Sequence, residues 1–458
     1  MNLNIFREYD IRGVVGKDFD SEDVRRLGQA FATYLGEKNV REAIVGWDSR
    51  SSSPALRDAL IDGLTHSGVD VLDIGEVTTP IFYYAYHHYR FQGGVMVTAS
   101  HNPAEYNGFK LAHGPSTLYG EEIQAVARLW QAGRFARGSG VVRHEDPVPS
   151  YLAMLREKIQ LEAFRPRVVV DCGNGTPSRF VRQVMEAFGV SADYLYCTVD
   201  PTFPHHHPDP VVAENLRDLV AAVTRSRADL GLAFDGDGDR IGVVDDTGRI
   251  LWGDRLMVLY WREILPRYPG AWGIVEVKCS QTLYDEIARL GGRPLFYKTG
   301  HSLIKAKMRE LNAPFTGEMS GHMFFADEYF GFDDAFYAAG RLLRLMSRQG
   351  RPLSSLLADV PDLPATPEVR IDCPDDRKFE VVAQLTRRFR DQLGLPVIDV
   401  DGVRVQFPAG WGLVRASNTQ PALVARAEAQ TAPELDAIVA ILDRELRRFP
   451  EVGAIRWS

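Results

Sequence analysis

Three carboxylates stand at alternate positions in Asp235-Gly236-Asp237-Gly238-Asp239-Arg240, directly after the apolar run Leu230-Gly231-Leu232-Ala233-Phe234. A strand running into a tight turn would aim all three at one spot, where like charges repel unless a cation lies among them. Hard oxygen donors on a short glycine-rich turn suit Mg²⁺ or Ca²⁺ better than zinc. A calcium-loop reading fails, because its sixth position is Arg240 rather than Gly and its twelfth is Asp246 rather than Glu. Mg²⁺ in proteins usually accompanies phosphate, so the first expectation is a Mg²⁺-dependent phosphoryl-transfer site. Taken alone, the cluster also reads as a solvated acidic turn.

A second constellation is Val97-Thr98-Ala99-Ser100-His101-Asn102-Pro103, at the end of the apolar stretch 94–97. A serine hydroxyl is a weak nucleophile unaided, yet a serine ester can carry a group between half-reactions. No Gly-x-Ser-x-Gly elbow surrounds Ser100, which disfavours acyl transfer. By itself the segment also fits a turn capped by Ser and Asn. His205-His206-His207 is hemmed in by Pro204 and Pro208 and has no spaced partner, so it reads as a loop rather than a metal site.

The positioning elements follow a recurrent plan. A strand near 43–48, a helix near 54–66, Gly68 and a strand near 69–74 form one unit. The segments 167–171, 178–188, Gly189 and 192–196 repeat it, as do 273–278, 282–290, Gly291-Gly292 and 294–297. Strand, loop, helix, glycine cap and strand is the βαβ unit of parallel sheets, whose ligand groups sit on loops at the carboxyl ends of strands. Asp245-Asp246-Thr247-Gly248 reads as a hairpin turn. Beyond the proline-rich stretch 361–367, a strand near 368–373, a helix near 378–392, strands near 400–407, 413–416 and 422–429, and a helix near 433–449 suggest an antiparallel α+β arrangement. The expected fold class is α/β: three related α/β domains with mixed, mainly parallel sheets and a smaller C-terminal α+β domain, around a central cleft. The expected boundaries are 1–146, 147–250, 251–363 and 364–458.

The 458 residues suffice for several domains, and the 45% hydrophobic and 25% charged fractions are ordinary for a globular chain. A formal charge of -8 argues against nonspecific nucleic-acid binding. Cys172, Cys197, Cys279 and Cys373 form no CxxC pair and are expected to be reduced core residues. No apolar run approaches the roughly 18–20 residues of a membrane helix, and the N-terminus lacks a signal-peptide pattern, so a cytoplasmic protein is expected.

Seven segments in order carry a resemblance. They are 6–13 (Phe-Arg-Glu-Tyr-Asp-Ile-Arg-Gly), 98–103, Asn107-Gly108-Phe109-Lys110, 235–240, Lys298-Thr299-Gly300-His301, Gly317-Glu318-Met319-Ser320-Gly321-His322 and Arg415-Ala416-Ser417-Asn418-Thr419. The chain resembles the α-D-phosphohexomutase superfamily, and within it the bacterial phosphomannomutase/phosphoglucomutase group. The resemblance implies that Ser100 carries phosphate as phosphoserine and, with Asp235, Asp237 and Asp239, holds Mg²⁺. It places Tyr9, Arg12, His101, Lys110 and Arg240 around the phosphoserine, with Lys110 a candidate general acid or base. Glu318 and Ser320 would bind sugar hydroxyls, and His301 and His322 would sit on either side of the sugar. Arg415, Ser417, Asn418 and Thr419 would hold the phosphate that does not react, with Lys278 a further cation near it.

The implied reaction moves phosphate between O1 and O6 of glucose or mannose phosphates through a hexose 1,6-bisphosphate, with glucose 1,6-bisphosphate as activator. Hexose phosphates are the expected partners, without nucleic acid or membrane. A monomer is expected and a dimer stays open. Three rivals stay open too: a phosphoglucosamine mutase, a Mg²⁺-dependent sugar-phosphate phosphatase in which Ser100 is dispensable, and a non-enzymatic sugar-phosphate sensor.

Overall fold

The computed structural model describes residues 1–418 and 420–457. The chain divides into two compact units, Met1–Pro269 with Gly300–Leu357, and Gly270–Thr299 with Ala358–Ser458.

The first unit holds two mixed sheets. One has seven strands, in the order Ile11–Val14, Tyr106–His113, Gly93–Val97, Glu42–Trp47, Asp70–Glu76 and Val142–His144, with Ser116–Thr117 pairing onto Tyr106–His113. The pairings from Gly93–Val97 to Val142–His144 are parallel, and those of Tyr106–His113 are antiparallel. The second has five strands, in the order Ile250–Leu251, Ile241–Asp245, Leu230–Phe234, Val168–Asp171 and Ala192–Leu195, parallel over the last three. Every residue of Gly93–Val97 and of Leu230–Phe234 is buried, as a central strand covered on both faces requires. Both strands end at the chemistry-bearing loops.

Helix ends follow local chemistry. Ser21–Glu37 begins in a capping box made by Asp20 and Asp23. Val181–Phe188 ends at Gly189, whose φ of 69° is the left-handed cap conformation. The helix expected from 178 begins only at Val181, after the 3-10 segment Thr176–Arg179 with Pro177 in its first turn. The sulfurs of Cys172 and Cys197, distant in sequence, lie 3.0 Å apart as free thiols.

In the second unit, Trp272–Glu276 and Arg293–Tyr297 pair in parallel, joined through the helix Gln281–Arg289. An antiparallel five-stranded sheet follows, in the order Val369–Asp372, Ala422–Ala429, Gly410–Ala416, Val403–Phe407 and Val397–Ile398. Val369–Asp372 alternates buried and exposed residues, so one face packs on a core of Ile371, Leu385, Val405, Val414, Leu423 and Leu442. The architecture is the expected one: mixed α/β layers followed by an antiparallel α+β segment. Among the described residues, no helix is long and apolar enough to cross a membrane.

Candidate active site

Ser100 sits three residues past the strand Gly93–Val97, in a left-handed conformation with φ of 52°. A non-glycine residue there is strained and needs outside support. The Ser100 N–H donates to Thr98 Oγ1 at 2.9 Å. The buried Arg50 guanidinium donates to four carbonyls of the turn: those of Ser100 (2.8 Å), Asn102 (2.6 Å), Pro103 (2.7 Å) and Tyr106 (3.0 Å). Arg12 donates to Asn102 Oδ1 at 2.8 Å and to the Ala99 carbonyl at 3.4 Å, and pairs with Asp10 at 2.7 Å. Ser100 Oγ lies 3.0 Å from His101 Nδ1 and donates to Asp235 Oδ2 at 2.7 Å.

That last bond joins the two loops, and the glycines permit it. A Cβ on Gly236 would stand 2.3 Å from the Ser100 carbonyl oxygen, so no larger residue allows the approach. Gly238 has φ of 79°, which turns the chain so that Asp239 rejoins Asp235. Asp235 Oδ1 accepts the N–H groups of Asp239 (3.0 Å) and Arg240 (3.1 Å). Asp237 Oδ2 accepts from Thr79 (2.6 Å), Thr98 (3.2 Å) and Lys110 Nζ (2.9 Å). Lys110 also pairs with Asp239 Oδ2.

Asp237 Oδ1 and Asp239 Oδ1 remain, buried and accepting no hydrogen bond. Asp235, Asp237 and Asp239 each offer an oxygen within 4.8 Å of the others. Burial, then repulsion from Asp239 and Asp237, pushes the Asp235 carboxyl well up. Two orphaned anionic oxygens beside a third carboxylate and a hydroxyl are a hard-donor set, and they fit a divalent cation. Burial opposes the charge on Lys110, but Asp237 and Asp239 outweigh it and hold the ammonium well above the usual lysine range.

The two expected histidines lie on neighbouring segments. His301 opens the helix His301–Leu311, and His322 follows the turn in which the Gly321 N–H donates to the Glu318 carbonyl. Their rings are stacked, 5.5 Å apart at 24°. The structure thus brings the two histidines together. Tyr9 meets His301 edge-on at 5.5 Å. His322 Nε2 accepts from Arg240 Nε at 3.0 Å. Glu318 is buried, accepts the Gly300 N–H at 2.8 Å and lies 4.0 Å from His322 Nε2. Ser320 is half-buried two residues away. Burial, then the nearby Lys305 charge, holds His301 well below the usual histidine range.

In the second unit, Lys278 is buried and pairs with Glu368 at 2.9 Å, and Glu276 is 3.9 Å away. Burial alone would raise the Glu368 carboxyl, but Lys278 brings it down to about 2. The Lys278 backbone is fixed because Arg426 donates to its carbonyl, while Arg404 donates to those of Val277 (2.7 Å) and Cys279 (2.9 Å). Arg415 Nε pairs with Asp401 at 2.9 Å, and Asp401 also accepts the Thr299 N–H at 3.0 Å. Ser417 Oγ accepts the Gln420 N–H at 3.2 Å, Asn418 is half-buried, and Thr419 lies outside the described residues. His206 lies 3.1 Å from Asp171, and His205 stacks on Tyr196 at 4.0 Å, which accounts for two of the three loop histidines without a metal.

Sequence reasoning overlooked Arg50, Thr79, Asp333 and Asp401. Arg50 carried a usable signal, since it follows Asp48 in the loop at the carboxyl end of the first unit's strand. Asp333 and Asp334 precede the apolar helix Ala335–Gln349, where one acid is enough for the cap and the other has no local reason.

Four family models match in order: phosphoglucomutase/phosphomannomutase alpha/beta/alpha domains I, II and III over residues 3–136, 149–248 and 252–363, and the C-terminal domain over 368–445. A phosphomannomutase/phosphoglucomutase of Pseudomonas aeruginosa is 46% identical over 444 residues, covering 97% of this chain and 96% of its own. A phosphoglucomutase of Neisseria gonorrhoeae is 41% identical, covering 95% of each chain. The crystal structure of a phosphoglucomutase/phosphomannomutase family protein from Burkholderia thailandensis superposes with a TM-score of 0.93 over 99% of both chains at 39% identity. A shared fold, matches along nearly the whole chain and a serine joined to a triple-aspartate turn leave one assignment, and the chain belongs to the phosphoglucomutase/phosphomannomutase family.

Proposed function

We propose that this protein is a mutase that reversibly moves a phosphoryl group between O1 and O6 of a hexose, with glucose and mannose phosphates as substrates. The observation that carries this reading is Ser100, held in a strained turn with its hydroxyl on Asp235, beside the orphaned oxygens of Asp237 and Asp239. A phosphatase of the aspartate-nucleophile kind has no use for a serine so placed.

Phospho-Ser100 donates its phosphoryl group to the free hydroxyl of a hexose monophosphate. The serine O–P bond breaks as the sugar O–P bond forms, and the hydroxyl proton leaves to a base. The hexose 1,6-bisphosphate then returns its other phosphate to Ser100. Mg²⁺ held by Asp235, Asp237, Asp239 and the serine phosphate would spread the charge of the transferring group. Glucose 1,6-bisphosphate would prime unphosphorylated Ser100. His322 is the base in this reading, because Lys110 is tied to two carboxylates while His322 Nε2 is an acceptor beside Arg240. Arg12, His101 and Arg240 screen the serine phosphate, and Glu318 and Ser320 bind sugar hydroxyls, with Tyr9 and His301 beside them. Lys278, Arg415, Ser417, Asn418 and Thr419 are assigned to the second phosphate on residue type and family motif.

The test is conversion of glucose, mannose and glucosamine 1-phosphates to 6-phosphates with Mg²⁺ and trace glucose 1,6-bisphosphate, with free phosphate measured in the same samples. Conversion of glucose and mannose esters without phosphate release, lost in Ser100→Ala, is the expected result. Net phosphate release, a glucosamine-only reaction, or normal turnover by Ser100→Ala would overturn it.

A further inference from the structure

We propose that Asp333, absent from every motif above, is a positioning residue that holds His322 in the tautomer able to accept a proton. The proposal rests on the reading of His322 as the proton acceptor of the mutase reaction. Asp333 is wholly buried, bridged at its backbone to Phe324 and followed by the helix Ala335–Gln349. Its Oδ1 accepts from Lys305 Nζ at 3.0 Å. Its Oδ2 lies 3.1 Å from His322 Nδ1 and 3.7 Å from His301 Nδ1. The 3.1 Å approach is at ion-pair distance, short of full hydrogen-bond alignment.

The tautomer follows from the opposite edge of the ring. Arg240 Nε can only donate, so the His322 nitrogen that receives it, Nε2, carries a lone pair. A neutral imidazole then bears its proton on Nδ1, the nitrogen facing Asp333. Asp239 Oδ1 also faces Nδ1, at 3.7 Å, but it belongs to the candidate cation site. Lys305 orients the carboxylate. Its ammonium, seated 4.5 Å over the Tyr83 ring, engages Oδ1 and leaves Oδ2 for the histidine. The arrangement parallels the carboxylate that orients a catalytic histidine in serine hydrolases. When Nε2 takes the hydroxyl proton, the Asp333 charge stabilises the imidazolium that forms.

The competing explanation is that Asp333 only neutralises the buried Lys305. Asp333→Asn separates the two. Lys305 demands an oxygen, so the amide oxygen turns to it and the NH₂ turns to His322 Nδ1. Nδ1 must then accept, and the proton moves to Nε2, where it confronts the Arg240 donor. The expected result is a folded variant whose kcat falls by about 10²–10⁴-fold with KM within about threefold, as for a catalytic histidine in the wrong tautomer. In ¹⁵N spectra of histidine-labelled protein without substrate, the His322 signals should read as Nδ1–H in wild type and Nε2–H in the variant. If Asp333 merely balanced Lys305, the double variant Asp333→Asn/Lys305→Met would regain activity, and we expect that it does not. Recovery in the double variant, near-normal kcat in Asp333→Asn, or an Nε2–H tautomer in wild type would each overturn the proposal. An Nε2–H signal in wild type would overturn the proposal even if the variant does not fold. It is also independent of the mutase reading, which fails separately if wild-type protein does not convert hexose phosphates.

Discussion

Arg50 carries more of the serine turn than any residue visible as a motif. Its planar fork satisfies four carbonyls at once, and lysine cannot reproduce that pattern. Arg50→Lys should therefore keep the charge but let Ser100 drift. A misplacement of about 1 Å costs on the order of 100-fold in rate, so kcat/KM should drop by about that factor while the fold survives. Steady-state kinetics alongside a melting curve check this, and unchanged kcat/KM would show that the turn holds itself. Gly236→Ala tests the other side of the junction. Its Cβ would have to displace the Ser100 carbonyl from 2.3 Å, so the loops must part. Activity should fall and the Mg²⁺ requirement should rise, at a stability cost of about 1–3 kcal/mol. Mg²⁺ titration of the rate reads the shift, and a wild-type titration curve would refute it. The acidic residues, Ser100 and the glycine spacing were legible in the sequence because they are local. The reason for Gly236 was not, because the atom that forbids a side chain lies on a loop far away in the chain.

Elements were legible wherever the hydrophobic period ran uninterrupted. The strand Ala422–Ala429 and the helix ending at His66 fall at the residues the pattern indicates. A boundary moved where proline intervened, as at Thr176–Arg179, whereas the helix expected over 378–392 keeps its bounds but finishes in the π-helical turn Arg388–Gln392. What a helix terminus does chemically is harder to read. Asp334 caps Ala335–Gln349 through the Tyr337 N–H at 2.8 Å and also accepts from the hydroxyls of Tyr151 (3.0 Å) and Tyr329 (2.9 Å). Burial nevertheless raises its carboxyl from 3.8 to about 6. The folded state thus holds this proton more tightly than the unfolded state does. The associated stability is fully present below about pH 4 and is lost as pH rises through about 6, a change of about 3 kcal/mol. Asp334→Asn cannot titrate, so the stability of wild type relative to this variant should fall between pH 4 and 7. Denaturant unfolding of both proteins at several pH values measures the difference, and a constant difference would mean that Asp334 titrates normally.

At the scale of the whole chain, seven short segments in order pointed to the family, and a net charge of -8 makes the metal question sharper. Three buried carboxylates share one turn, with the Lys110 and Arg240 cations beside them. Without a further positive charge, the fold bears their repulsion. In the unfolded chain they separate and the repulsion vanishes, so a divalent cation that needs the folded turn must stabilise the native state over the unfolded one. Linkage sets the size of the effect: about 2.7 kcal/mol when free Mg²⁺ is 100 times its dissociation constant, growing with the logarithm of concentration. The melting temperature of wild-type protein should therefore climb steadily with added Mg²⁺ and return on chelation. Asp237→Asn deletes an orphaned anionic oxygen and a partner of Lys110 together, and its melting temperature should be nearly flat across the same titration. The same wild-type response in Asp237→Asn would place the cation elsewhere, and a flat wild-type curve would remove the metal from the turn altogether.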